Sequence, residues 1–186
     1  MLFEKHFPKT LKLLGMRAKD LCQLYLKELG LSENEIQSAE DLRYFAGFLR
    51  QKLRQEIQVV EVAQWESIHC LLVEMDFSFE VKADKGTVIV NPSIQVLALN
   101  EKNPVLDRDK GLYVFVAGGK KGTVTERRLD SFEAELIDLL LEDRKYTPDQ
   151  LLLMIRESDE NASIPSTEDA RKRFYSLIEA DILRLV

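Results

Sequence analysis

With 186 residues, 45% of them hydrophobic and 31% charged, the chain has the composition of a soluble globular protein of one domain or two small ones, not of a disordered segment. It is long enough to bury a substantial core without metals or disulfides, and no apolar run approaches a membrane span. The net charge of −6 divides evenly, −3 over residues 1–81 and −3 over 82–186. The broad basic field with which a sequence-independent DNA binder displaces counterions from phosphates is therefore absent, although a local patch is still compatible with nucleic acid.

The opening stretch, MLFEKHFPKTLKLLG, carries Glu4, Lys5, His6 and Pro8 where a signal peptide would need an unbroken apolar run, so the sequence reads as cytoplasmic. Helical periodicity then fills the first part of the chain. Phe7, Leu11 and Leu14 recur at helical spacing, with Pro8 where a helix begins and Gly15 where it ends. Leu21, Cys22, Tyr25, Leu26 and Leu29 form the next apolar stripe, closed by Gly30, and Ser32 or Ser38 caps the next helix. Leu42, Phe45, Ala46, Leu49 and Leu53 form a third stripe. Val59, Val62, Ala63, Ile68, Leu71 and Leu72 predict a fourth, longer helix containing Trp65. Four amphipathic helices with short connections predict a compact helical unit. Cys22 and Cys70 lie within two of these helices, form no C-x-x-C and read as buried free thiols.

The pattern changes near Phe77. SFEVKADKGTVIVNPSIQVLALNE is β-branched and punctuated by Lys85-Gly86 and Asn91-Pro92. GLYVFVAGGKKGTVTERRL then predicts two strands around a glycine-rich turn. The remainder is helical. Asp130 or Ser131 caps a helix with Phe132, Leu136, Ile137, Leu139 and Leu140. Thr147-Pro148 starts another with Leu151, Leu152 and Ile155. Ser166 or Thr167 caps a third with Ala170, Phe174, Leu177 and Ile178 on one face. DILRLV closes the chain as a short extended segment. Strands followed by three short helices form a winged-helix-like arrangement.

Motifs for catalysis are sparse. The glycine-rich turn lacks the Walker spacing and joins two strands rather than a strand and a helix. No G-x-S-x-G occurs, and His6 and His69 are the only histidines. Glu66-x-x-His69 has the i, i+3 spacing used in di-iron carboxylate bundles, but those sites need a second such pair and two further carboxylates. A polar or capping role on a helix is the reading preferred for that pair. The expectation is a protein that is not an enzyme, with no catalytic residues, metal or cofactor of its own.

Several ordered segments carry a family resemblance: Phe7-Pro8, Leu13-Leu14-Gly15, Tyr25-Leu26, Phe45 with Phe48-Leu49, Trp65, Asn91-Pro92-Ser93, Arg127-Arg128-Leu129-Asp130 and Glu133-Ala134. In this order they resemble the HvfC/MbnC-like family, whose members were often labelled DNA-binding proteins. The last third separately resembles the PqqD-like recognition domain of peptide-modifying systems, in which a precursor's leader peptide adds a strand to the sheet edge beside the third helix. The resemblance implies a partner role: holding a small precursor peptide for a multinuclear iron oxygenase, with iron and chemistry on that partner. Family members carry further helical residues before the Phe-Pro segment, and this sequence starts close to it. Pairing with the oxygenase is expected only if that segment does not supply the contact.

The hairpin decides between the readings. Lys120, Lys121, Arg127 and Arg128 make it basic, as in a DNA-binding wing, and the lysines read equally well as solvated turn residues. A DNA reader also needs a recognition helix. In the best candidate, Ser166–Ala180, helical geometry sets Asp169, Lys172, Ser176 and Glu179 opposite Phe174, with Glu168 nearby, and acids there oppose phosphates. Strand addition asks for less, because backbone hydrogen bonds supply the affinity. On this reading Thr123, Thr125 and Arg127 border the docked strand, Arg171 and Phe174 lie nearby, and Arg171 and Arg173 flank a groove suited to an acidic, partly apolar peptide. The expectation is thus an α+β protein with a helical domain over 1–78 and a winged-helix-like domain over 79–186. It would act as a non-enzymatic recognition subunit, with a winged-helix DNA-binding regulator and a stand-alone protein-interaction module as the alternatives.

Overall fold

The computed structural model describes residues 2–36, 38–74, 86–118, 122–141, 146–158 and 166–186. Helices and two small antiparallel sheets make the chain an α+β protein. It forms two compact units, Met1–Met75 with Leu97–Lys110, and Asp76–Val96 with Gly111–Val186. The boundary expected at 78/79 lies outside the described residues, as do Lys120 and Lys121. A single cut also omits the return of residues 97–110 to the first unit.

The first unit carries α1 (Leu2–His6), α2 (Pro8–Leu14), α3 (Ala18–Leu29), α4 (Ala39–Leu42), α5 (Phe45–Lys52) and α6 (Ile57–Glu74). The first expected helix is thus preceded by another. Phe7 stands between them with φ −127°, because a residue before proline is pushed out of the helical region, and Pro8 restarts the helix without needing an N–H partner. Gly30 ends α3 at φ 68°, where a side chain would be strained, and the Leu31 N–H donates to Leu26 O at 3.0 Å. Both candidate caps are used: Ser32 pairs with Glu35 and Ser38 with Asp41 in reciprocal boxes. The third stripe breaks at Arg43-Tyr44, giving α4 and α5. Phe3, Phe7, Tyr25, Phe45 and Phe48 form one aromatic cluster, with edge-to-face centroid separations from 4.8 Å to 6.1 Å.

Helix α6 is buried around much of its circumference, as expected of a central helix. It buries two carboxylates, each fully engaged. Glu66, 4% exposed, accepts the Lys9 N–H at 2.8 Å, the Thr10 N–H at 2.9 Å and the Thr10 hydroxyl at 2.6 Å, which caps the free donors at the start of α2. Glu61, 3% exposed, accepts the Asn100 N–H at 2.8 Å and the Asn103 side-chain amide at 3.2 Å, fastening the 97–110 segment.

The second unit contains β1 (Val88–Val90), the start of β2 (Gln95–Leu99), β3 (Gly111–Ala117), β4 (Val124–Leu129), α7 (Ser131–Leu141), α8 (Pro148–Ser158), α9 (Thr167–Glu179) and β5 (Leu183–Leu185). The extended C-terminal segment anticipated from the sequence is β5, which pairs antiparallel with β1 from Val88↔Leu185 to Val90↔Leu183. The second sheet has the order β2-β3-β4. Alternation places Val114, Val116 and Leu129 on the face that meets Leu136, Phe174 and Leu177 of the helices, and together they form the core of this unit. The Asn-Pro-Ser turn ties its parts together. Buried Asn91 donates to Asp181 O at 2.7 Å and accepts from the Ser93 N–H and hydroxyl at 2.9 Å, and Ser93 Oγ accepts the Ala117 N–H at 2.9 Å. Among the described residues no helix is long and apolar enough to cross a membrane.

Candidate functional site

Among the described strands β4 is terminal in its sheet, so its outer edge is the candidate docking surface. Its register with β3 runs from Leu112↔Leu129 to Ala117↔Val124, and the Gly118 N–H donates to Thr123 O at 2.8 Å. Hydrogen-bonded pairs alternate in an antiparallel ladder. Thr123, Thr125, Arg127 and Leu129 therefore turn their backbone groups toward β3. Val124, Glu126 and Arg128 turn theirs to the outer edge. Gly118 is required where the hairpin closes: a Cβ there would collide with Thr123 Oγ1.

The side chains alternate in the opposite sense. Leu129 enters the core, and Arg127, on the same face, reaches the helices. Its guanidinium ion-pairs with Glu133 at the start of α7, donates to Ser176 Oγ at 2.9 Å and donates to Ser176 O on α9 at 3.2 Å. Asp130 Oδ1 accepts the Glu133 N–H at 2.9 Å and Glu133 accepts the Asp130 N–H at 3.2 Å, a capping box on α7. Asp130 also ion-pairs with Arg173 of α9. The Arg-Arg-Leu-Asp segment thus anchors the edge strand to two helices.

The expected site residues separate into three groups. Thr123 and Thr125 stand on β4, Thr123 exposed and Thr125 half-buried opposite Val116. Arg127 and Phe174 lie beneath. The Phe174 ring is fully buried in the core, and Arg127 is bound within the fold rather than presented to a ligand. Arg171 lies elsewhere. Its position is about 140° around α9 from Ser176, and its guanidinium lies 3.7 Å from Asp149 of α8. The flank of α9 that meets β4 carries Arg173 and Ser176. The buried face centres between Ala170 and Leu177 rather than on Phe174 alone, which brings Ser176 inward from the outer side where a wheel centred on Phe174 sets it.

Electrostatics follow the same division. Arg127, Arg171 and Arg173 each face a carboxylate already, and Lys172 lies 3.2 Å from Glu168. The expected attraction for an acidic peptide therefore loses its arginines to internal pairs, and the backbone edge is left as the recognition element. Glu168, Asp169 and Glu179 are exposed on α9, so its outer face is of mixed charge.

The sequence spacing Asp130-x-x-Glu133 signals the α7 capping box, whereas no local signal identifies Ser176 as the partner of Arg127, 49 residues away. The Glu66-x-x-His69 pair also resolves: Glu66 is bound to α2. Among the described residues no group of three or more His, Cys, Asp or Glu side chains is arranged to hold a metal ion. No protein-family model matches the chain. No curated protein matches it either.

Proposed function

We propose that the protein is a recognition subunit that binds an extended peptide by strand addition to the outer edge of β4. The observation that carries this reading is the terminal position of β4 among the described strands of its sheet, with the backbone groups of Val124, Glu126 and Arg128 directed away from β3 beside α9. A hairpin followed by three helices, with a returning strand, resembles the PqqD-like arrangement of winged-helix type and supports the same reading. The peptide is the small precursor of a modification system, and the chemistry belongs to a partner iron oxygenase, as the HvfC/MbnC-like resemblance implies. Main-chain pairing supplies the affinity. The test is titration of the full chain with any small cysteine-containing peptide found encoded beside its gene, followed by co-purification with an iron-containing partner. Saturable binding and an iron-bearing complex are the expected results. A peptide that shows no binding at any concentration overturns the reading.

A further inference from the structure

Helices α1 and α6 of the first unit bring a second constellation together, unrelated to the β4 edge. Cys70 Sγ lies 3.0 Å from His6 Nδ1. On the far side of the ring, His6 Nε2 lies 3.4 Å from Glu74 Oε1. The His6 side chain is 6% exposed, and its Nε2 has ion-pair reach to Glu74 without an aligned hydrogen bond. With the thiol donating to Nδ1, the ring proton resides on Nε2 and faces the carboxylate. A nucleophile, a base in contact with it and an acid behind the base is the arrangement by which a neutral side chain is activated in place. The charged groups acting on His6 are Glu74 of α6 and Lys5 of its own helix, and Lys5 Nζ is 3.0 Å from the same Glu74 oxygen.

We propose that Cys70 is a site of oxidation by hydrogen peroxide, with His6 as the general base and Glu74 positioning the ring. Sulfur attacks one peroxide oxygen while Nδ1 takes the S–H proton. The S–O bond forms, the O–O bond breaks, and the departing hydroxide recovers that proton and leaves as water. Sulfur loses two electrons to become a sulfenic acid, and the peroxide is reduced. Cys70 is 8% exposed, and hydrogen peroxide is a small oxidant suited to a buried thiol. Burial first, then Glu74, pushes its thiol up to about 12, so the thiol is not a ready-made thiolate and depends on its base. Burial lowers His6 below its usual range, which keeps the ring neutral and able to accept a proton at pH 7.

Cys22 is the internal control. It is 7% exposed and lines an open cleft of about 320 Å³. The two thiols are nearly equally exposed, so exposure alone gives Cys70 no advantage over Cys22. The experiment treats the full chain with hydrogen peroxide, traps sulfenic acid with dimedone and maps both cysteines by mass spectrometry across pH 6 to 9. Trapping at Cys70 ahead of Cys22 is expected, at a rate level from pH 7 to 9, because burial holds the His6 ring neutral there. His6→Gln should slow it about a hundredfold. Preferential trapping at Cys22, or a Cys70 rate climbing about tenfold per pH unit from 7 to 9 as free thiolate formation requires, overturns the proposal. The pH profile of the unaltered protein decides even where His6→Gln fails to fold.

Discussion

Arg127 shows how a residue of an apparent basic wing can serve the interior. Its ion pair leaves Glu133, 3% exposed, as the carboxylate that suffers if the arginine is removed. Arg127→Met should therefore lower stability by about 2 kcal/mol in urea denaturation, since an uncompensated buried charge is costly. Adding Glu133→Gln should restore part of the loss, and a double variant no more stable than the single one would contradict the pairing. Titration gives a second test. Burial depresses His6, so its contribution is complete above the unfolded value of 6.5 and is lost as pH falls below it. Cys70 is shifted from 9 to about 12 and Tyr25 from 10 to about 12, chiefly by burial, so their contributions hold below pH 9 and pH 10 and are lost as pH rises toward 12. Thermal melts of the wild type should weaken at both ends, and Cys70→Ala should remove part of the alkaline loss.

At the scale of elements, β4 has one side paired with β3 and one side that, among the described strands, is terminal. Proline at 126 removes an outward N–H and leaves the ladder to β3 intact, whereas proline at 125 removes an inward donor. Glu126→Pro should stay folded by circular dichroism yet lose peptide binding. Thr125→Pro should lose the hairpin itself. Equal binding by Glu126→Pro and wild type would move the docking site off this strand. Much of this element structure was legible in the sequence, because caps and apolar stripes are local: Gly30, Ser38, Thr147 and Ser166 each stand at an element end. What was not legible is long-range. Glu66 reaches back to Thr10 across 56 residues, and Arg171 is drawn to α8 rather than to the groove. Neither direction is implied by helical spacing, because a wheel ranks faces without saying which neighbour covers them.

For the whole molecule, the return of residues 97–110 to the first unit has a direct consequence. A fragment ending at residue 78 would keep Glu61 but lose Asn100 and Asn103, its buried partners. Such a fragment should show poor amide dispersion by NMR, while the full chain is well dispersed. The net charge of −6 and the acids on α9 lead to a second expectation, that gel-shift titration at low salt detects no DNA complex. The proposed peptide recognition depends above all on the outer edge of β4, and amide hydrogen exchange of the full chain with and without a small cysteine-containing peptide encoded beside its gene tests it most directly. New protection at Val124, Glu126 and Arg128, with Thr125 and Arg127 already protected in the free protein, is the result expected of strand addition. Protection confined to other surfaces, with these three amides unchanged on saturation, would contradict it.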